Sequence, residues 1–216
     1  MTRIVLVWIV FFVFSSVTGQ GLEIGVYAEP QLAWINSDEG NISANGSIFN
    51  LNTGIEFDIY FMPNYALSLG LNLNNQGGKL LYGDPIQFQQ TSTTLSIPAN
   101  TELKHNLQYV GIPLGLKLKT EELGYTTIYF HGGFSPLINL KAITSDGASL
   151  DGENIKPEVN MFNLNYFIEA GIEYRLAGNT ALIFGFKWSA GFLDVTKNDF
   201  ANNNLSSAGL HLGLLF

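Results

Sequence analysis

No cysteine occurs in the 216-residue sequence. Its absence excludes a disulfide framework, a thiolate metal site and a thiol nucleophile. It also excludes a lipoprotein anchor after the N-terminal apolar run. Charge is scarce as well: Asp, Glu, Lys and Arg make up 13% of the chain, against about 25% in ordinary soluble domains. Bases are outnumbered, 10 against 18 acids, for a formal charge of −8. Phosphate binding needs a basic surface, so nucleic acid is not an expected partner. After the first twenty residues no long apolar run occurs, which excludes a bundle of membrane-crossing helices. Such a chain can enter lipid only as a closed barrel, where every backbone group is satisfied between strands.

What is present points the same way. Hydrophobic residues make up 46%, with 23 Gly and 16 Phe. Arg3, the unbroken apolar run Ile4 to Phe14, and the small-residue exit Ser15, Ser16, Val17, Thr18, Gly19 read as a signal peptide over residues 1–19. The barrel domain is then expected over residues 20–216.

From residue 22 onward the chain alternates with period two, and helical periodicity is missing. Eight segments result. Outward faces begin with Leu22, Ile24, Val26, Ala28, Leu32 and Trp34, then Phe49, Leu51, Ile55, Phe57, Ile59 and Phe61, then Leu67, Leu69, Leu71 and Leu73. The pattern continues through Val110–Leu118, Thr126–Lys141, Met161–Arg175, Thr180–Phe192 and Ser206–Phe216. Short turns follow the second, fourth and sixth segments. Long loops are expected at about Ile35–Ile48, Asn75–Thr101, Ile143–Val159 and Leu193–Leu205. Roughly ten-residue strands with short turns at one end and long loops at the other predict an eight-stranded antiparallel up-and-down transmembrane β-barrel.

The apolar face carries almost no charge. The opposite face carries Glu23, Glu29, Glu56, Asp58, Glu169 and Glu173 with Lys117, Lys119, Lys141, Arg175 and Lys187. In a soluble barrel the same two faces would be turned round, apolar inside and charged outside, and alternation alone does not distinguish the two forms. The large, uniform apolar face, the aromatics near segment ends and the terminal Phe216 favour the membrane form. Eight strands enclose a space that side chains just fill. The expected lumen network is Glu23, Glu29, Glu56, Asp58, Lys117, His131, Lys141, Glu169, Glu173, Arg175, Lys187 and His211, with a structural role and no open pore. Inward glycines (among them Gly54, Gly70, Gly115, Gly133 and Gly185) leave room for it.

Two stretches carry a family resemblance. Tyr65-Ala66-Leu67-Ser68-Leu69-Gly70-Leu71 precedes Asn75-Gln76-Gly77-Gly78-Lys79-Leu80, and Leu107-Gln108-Tyr109-Val110-Gly111-Ile112-Pro113-Leu114-Gly115-Leu116-Lys117 precedes Gly132-Gly133-Phe134-Ser135-Pro136. Together they resemble the PorT-like outer-membrane β-barrel family of Bacteroidetes. The resemblance implies a bacterial outer-membrane barrel. Its partners would be outer-membrane lipid and other outer-membrane or secretion components, because the PorT members are linked to protein export. Pro113 shares the face of Gly111 and Gly115 and is expected to mark a bend or bulge.

Catalytic chemistry is not expected. His131 and His211 point inward, whereas a lipid-acting enzyme needs its base on the outer face. His105, near a loop end, is expected to contact solvent. Asp146, Asp151 and Glu153 match no calcium-loop spacing and read as a solvated acidic loop. No cofactor or metal is called for. The stretch Gln87 to Thr94 is polar and β-prone, and could present a strand edge to a partner. The alternatives to a non-enzymatic barrel are a lipid-modifying enzyme, a soluble periplasmic barrel holding a hydrophobic ligand, and a small channel.

Overall fold

The computed structural model describes residues 21–38, 40–89, 94–146, 152–197 and 203–216. The expected signal peptide, Asp151 and part of the Gln87–Thr94 stretch lie outside the described residues. Thirteen strands form among the described residues: β1 Leu22–Ser37, β2 Ile42–Ala44, β3 Ile48–Met62, β4 Tyr65–Tyr82, β5 Ile86–Gln89, β6 Thr94–Ile97, β7 Thr101–Gly111, β8 Leu114–Lys119, β9 Thr126–Ser145, β10 Glu153–Asn154, β11 Phe162–Ala177, β12 Thr180–Gly191 and β13 Asn203–Leu215. A 3-10 turn spans Lys156–Glu158.

The wall runs β1-β3-β4-(β7, β8)-β9-β11-β12-β13 and closes where β13 pairs with β1, from Gly25↔Leu215 to Ser37↔Asn203. Because β7 and β8 are two halves of one wall strand, this is an eight-stranded antiparallel barrel. The strands β2, β5, β6 and β10 are additions at the long-loop end. Closure leaves no open edge within the wall, the condition a sheet must meet in lipid.

The break between β7 and β8 falls at Pro113, and it is not the expected bulge. Against β4, Asn72↔Gly111 and Leu69↔Leu114 keep one register; against β9, Gly111↔Leu137 and Leu114↔Phe134 do the same. Only the missing N–H is lost. The Pro113 carbonyl still accepts from the Gly70 N–H at 2.9 Å. Gly70 makes room for the ring, since a Cβ there would lie 2.8 Å from Pro113 Cγ.

A real bulge occurs further along β9. Gln108 faces Lys141 while Tyr109 faces Asn139, so Leu140 is the extra residue. A bulge reverses the facing of everything beyond it. Leu140 and Lys141 both point outward, and Ala142 and Thr144 turn inward. The inward position expected for Lys141 is thereby corrected.

The strands also run well into the expected long loops, and the wall changes character as they do. On β4 the outward residues Leu67, Leu71 and Leu73 give way to Asn75 and Lys79, while Leu80 and Tyr82 turn inward. On β7 the outward residues are Glu102, Lys104, Asn106 and Gln108, and Leu103, Leu107 and Tyr109 are buried inside. Below Val110 the barrel is apolar outside and polar within; above it the rule inverts. The apolar band is heavily exposed, with Phe49 at 71% and Phe186 at 57%, as lipid contact requires. Aromatic pairs flank it: Phe61–Tyr65 and Tyr125–Tyr174 (both 6.3 Å) at the short-turn end, Tyr166–Phe192 (4.7 Å) and Tyr166–Trp188 (5.4 Å) toward the other.

Above the band, Ile35, Leu80, Leu103, Leu107, Tyr109, Leu137, Ile155, Val159, Val195 and Leu205 form a buried apolar cluster. Each such side chain contributes about 1.5–3 kcal/mol when removed from water. Gly78 allows β4 to pass tightly against β1 here; a Cβ would sit 2.6 Å from the Ile35 nitrogen.

Candidate functional site

The chemistry-bearing side chains collect in the lumen, where period-two alternation aims them. At the short-turn end an open vestibule of about 540 Å³ is lined by Glu23, Tyr60, Lys119, Glu122, Glu173 and Arg175 among others. Lys119 Nζ bridges Glu23 (2.7 Å) and Glu173 (2.6 Å), and Tyr60 donates its hydroxyl to Glu23 at 2.8 Å. One layer deeper, Lys117 Nζ contacts Asp58 (2.7 Å), Glu173 (3.0 Å) and Glu56 (3.8 Å). Asp58 is wholly buried and Lys117 is 1% exposed.

A second cluster surrounds Glu29 and Glu169. Lys187 Nζ lies 2.7 Å from Glu29 and 3.8 Å from Glu169. His211 Nδ1 lies 2.8 Å from Glu29, Tyr129 donates to Glu169 at 2.6 Å, and the Asn52 amide donates to Glu29. Between β1 and β13 the pairing skips from Ala28↔Leu212 to Gln31↔Gly209, at Pro30. Their side chains Glu29 and His211 join the two strands at that gap. Ligand atoms of Glu29, Glu169 and His211 fall within 4.8 Å of one another. The Lys187 ammonium supplies a positive charge beside two of these three groups, Glu29 and Glu169.

Above the charges comes a layer of amides and hydroxyls. Gln31, Asn52, Asn72, Asn74, Ser135 and Asn165 line a narrow space of about 20 Å³, room for a water or two at most. The apolar cluster then closes the top. The tyrosines fit because glycines face them. A Cβ on Gly54 would meet the Tyr27 hydroxyl at 2.7 Å, and one on Gly185 would meet that of Tyr129 at 2.2 Å.

Of the twelve residues expected in the network, ten face the lumen: Glu23, Glu29, Glu56, Asp58, Lys117, His131, Glu169, Glu173, Lys187 and His211. Lys141 lies outside through the β9 bulge. Arg175 lines the vestibule at its exposed rim and pairs with Glu122 at 2.7 Å, apart from the buried network. His131 is buried edge-on to Phe167, with ring centroids 4.8 Å apart. His105, expected in solvent, is 5% exposed and lies 3.1 Å from the Tyr82 hydroxyl. Tyr27, Tyr60 and Tyr129 belong to the cluster as well. Their parity with the inward acids was the available signal.

On the outside of the cap the Lys79 ammonium, 2.9 Å away, holds the Glu102 carboxyl below the usual range. The His105 imidazole lies above the apolar band, and burial pushes it down to about 4.

A closed barrel with a lipid-facing band, two aromatic girdles and a filled lumen defines a small outer-membrane β-barrel. The chain belongs to the outer membrane protein beta-barrel domain family, whose model matches residues 15–211. It is a protein of the bacterial outer membrane, with short turns toward the periplasm and long loops outside. Among solved structures, Neisserial surface protein A is similar at 13% identity, covering 91% of this chain and 98% of that one, with a TM-score of 0.51. OprG from Pseudomonas aeruginosa is similar at 10% identity, covering 92% and 97%, with a TM-score of 0.49. Ail, the attachment invasion locus protein of Yersinia pestis, crystallised with the heparin analogue sucrose octasulfate, is similar at 11% identity, covering 91% and 100%, with a TM-score of 0.44. These are likenesses of fold. No curated protein matches the chain.

Proposed function

We propose that this protein is a non-enzymatic, non-conducting barrel that anchors an ordered extracellular cap, and that the cap is its working surface. The observation that carries this reading is the double closure of the lumen. Lys117 and Lys187 are locked among carboxylates within the band, and the apolar cluster seals the end above it. The twelve-residue network proposed from sequence is kept as a structural one, without Lys141 and Arg175. Catalysis on lipid is disfavoured because His131 and His211 are buried inside the wall.

The working partners in this reading are outer-membrane lipid around the band and other surface or secretion components at the cap. The resemblance of the Tyr109–Lys117 stretch to PorT-like barrels of Bacteroidetes supports an accessory role in protein export. Residues 1–19 serve as the signal peptide and residues 20–216 as the mature barrel.

Mild cross-linking in cells, followed by purification from outer membranes, tests the reading. A partner set recovered in fixed ratio supports an attachment or export role. A lone barrel whose loss alters outer-membrane lipid, with the phenotype reproduced by His131→Ala or His211→Ala in a folded protein, overturns it in favour of an enzyme. Single-channel steps in planar bilayers would overturn the non-conducting part.

A further inference from the structure

The apolar cap is not solid. Ile35, Ile42, Leu80, Leu107, Ile155 and Val195 surround a cavity of about 70 Å³ available to the centres of water molecules. One water needs about 10–15 Å³ by that measure, so the space holds several waters or one compact ring. One side of it is branched aliphatic, and the other carries polar side chains.

Tyr82, Gln87, His105, Glu158, Thr196 and Asn203 make up the polar side of the lining, and one buried atom among them is unmatched. Asn203 lines the cavity, is 3% exposed, and its Oδ1 has no hydrogen-bond partner. The rest of Asn203 is fully engaged. Its backbone N–H donates to Asp194 Oδ1 at 3.0 Å, its carbonyl accepts from the Val195 N–H at 2.8 Å, and its Nδ2 donates to Thr196 Oγ1 at 3.1 Å. The amide cannot be turned over to hide the oxygen. Thr196 Oγ1 spends its own proton on Asp194 Oδ1, 3.0 Å away, so it can only accept from Asn203. A buried acceptor left unmatched is costly, and here its residue lines a half-apolar cavity of ligand size.

We propose that this cavity is a binding site for a small, compact apolar molecule carrying one hydrogen-bond donor, of the phenol or cyclic-alcohol class, with the donor on Asn203 Oδ1. The site lies wholly in the extracellular cap, above the lumen charges, and does not depend on whether the barrel serves export or attachment.

The test uses the full mature chain refolded into nanodiscs, with 4-fluorophenol and fluorobenzene as fluorine NMR probes. Saturable binding of 4-fluorophenol is expected, about tenfold tighter than fluorobenzene, the size of one net hydrogen bond. Asn203→Leu should bring the two probes to equal affinity. Val195→Phe, which fills the cavity, should abolish saturable binding of both; if it fails to fold, Ile42→Trp at the lip takes its place. Fold is checked by gel mobility and circular dichroism. Two results would overturn the proposal. One is a wild-type signal that rises linearly with probe and equals that of the filled variant, which is lipid partitioning over a water-filled cavity. The other is an unchanged preference for 4-fluorophenol in Asn203→Leu.

Discussion

Replacing Lys117 with Met keeps most of the side-chain volume and removes one charge. The Lys117 ammonium lies 2.7 Å from Asp58 and 3.0 Å from Glu173, with Glu56 at 3.8 Å. Asp58 is 0% exposed and Glu56 is 5% exposed, so water cannot reach in to replace the lost cation. Removing one partner of a buried pair costs about 3–5 kcal/mol, because the other charge is left uncompensated. Lys117→Met is therefore expected to lower barrel stability by that amount. Adding Asp58→Asn should return about half, since it removes the carboxylate nearest the lost charge. Urea unfolding in lipid vesicles measures both, with tryptophan emission and gel mobility as independent readouts. Lys141→Met is the control: Lys141 lies outside the wall, and a change within about 0.5 kcal/mol is expected. A Lys117→Met protein within about 1 kcal/mol of wild type, or one that Asp58→Asn destabilises further, would refute the reasoning. The lumen charges would then be solvated rather than mutually held.

The cap should loosen in acid. His105 is held down to about 4 by burial, against about 6.5 when unfolded. Its contribution is complete above the unfolded value and is lost as pH falls through the window toward 4, by up to about 3 kcal/mol. Hydrogen exchange of the β7 amides at pH 7 and pH 4.5, corrected for intrinsic rates, should show it, and His105→Phe should remove the dependence. Gly133→Ala should block refolding. Its Cβ would lie 2.1 Å from the Leu114 carbonyl oxygen and 2.5 Å from Gly115 Cα, backbone that no rotamer can move, at about 3 kcal/mol or more. Gly40→Ala meets nothing within 4 Å and should refold normally in the same gel assay. Brominated lipid should quench a tryptophan placed at the lipid-facing Phe186 and leave one at the buried Leu107 bright.

The lower barrel was legible because a single rule governs it. Leu67 through Leu73 and Leu114 through Leu118 keep one parity, with Lys117 and the glycines on the other. The cap was not, because the rule inverts there. Leu103, Leu107 and Tyr109 alternate as cleanly as the strands below, but their apolar face points inward, and a search for one lipid-facing stripe ends at Val110. His105 reads as solvent-facing from its place near a loop end, and the inverted rule buries it. Lys141 failed on a single extra residue, Leu140, since alternation carries no mark of a bulge until the pairing partner is known. Arg175 kept its parity but ran out of wall. Asn203 offered no signal at all, because its orphaned oxygen is defined only by what Asp194 and Thr196 do with their own hydrogen bonds.

The inversion near Val110 gives the molecule a waterline. A barrel that is greasy along its whole height could ride higher or lower in the bilayer at little expense. This one cannot. Sinking it by two residues would drag Asn75, Gln108 and Asn106 into hydrocarbon, and lifting it would strand Leu73 and Val110 in water. The draught of the barrel is thus written into its wall strands. The cap is held at a fixed height over the lipid headgroups, whatever the thickness of the cell-surface layer around it.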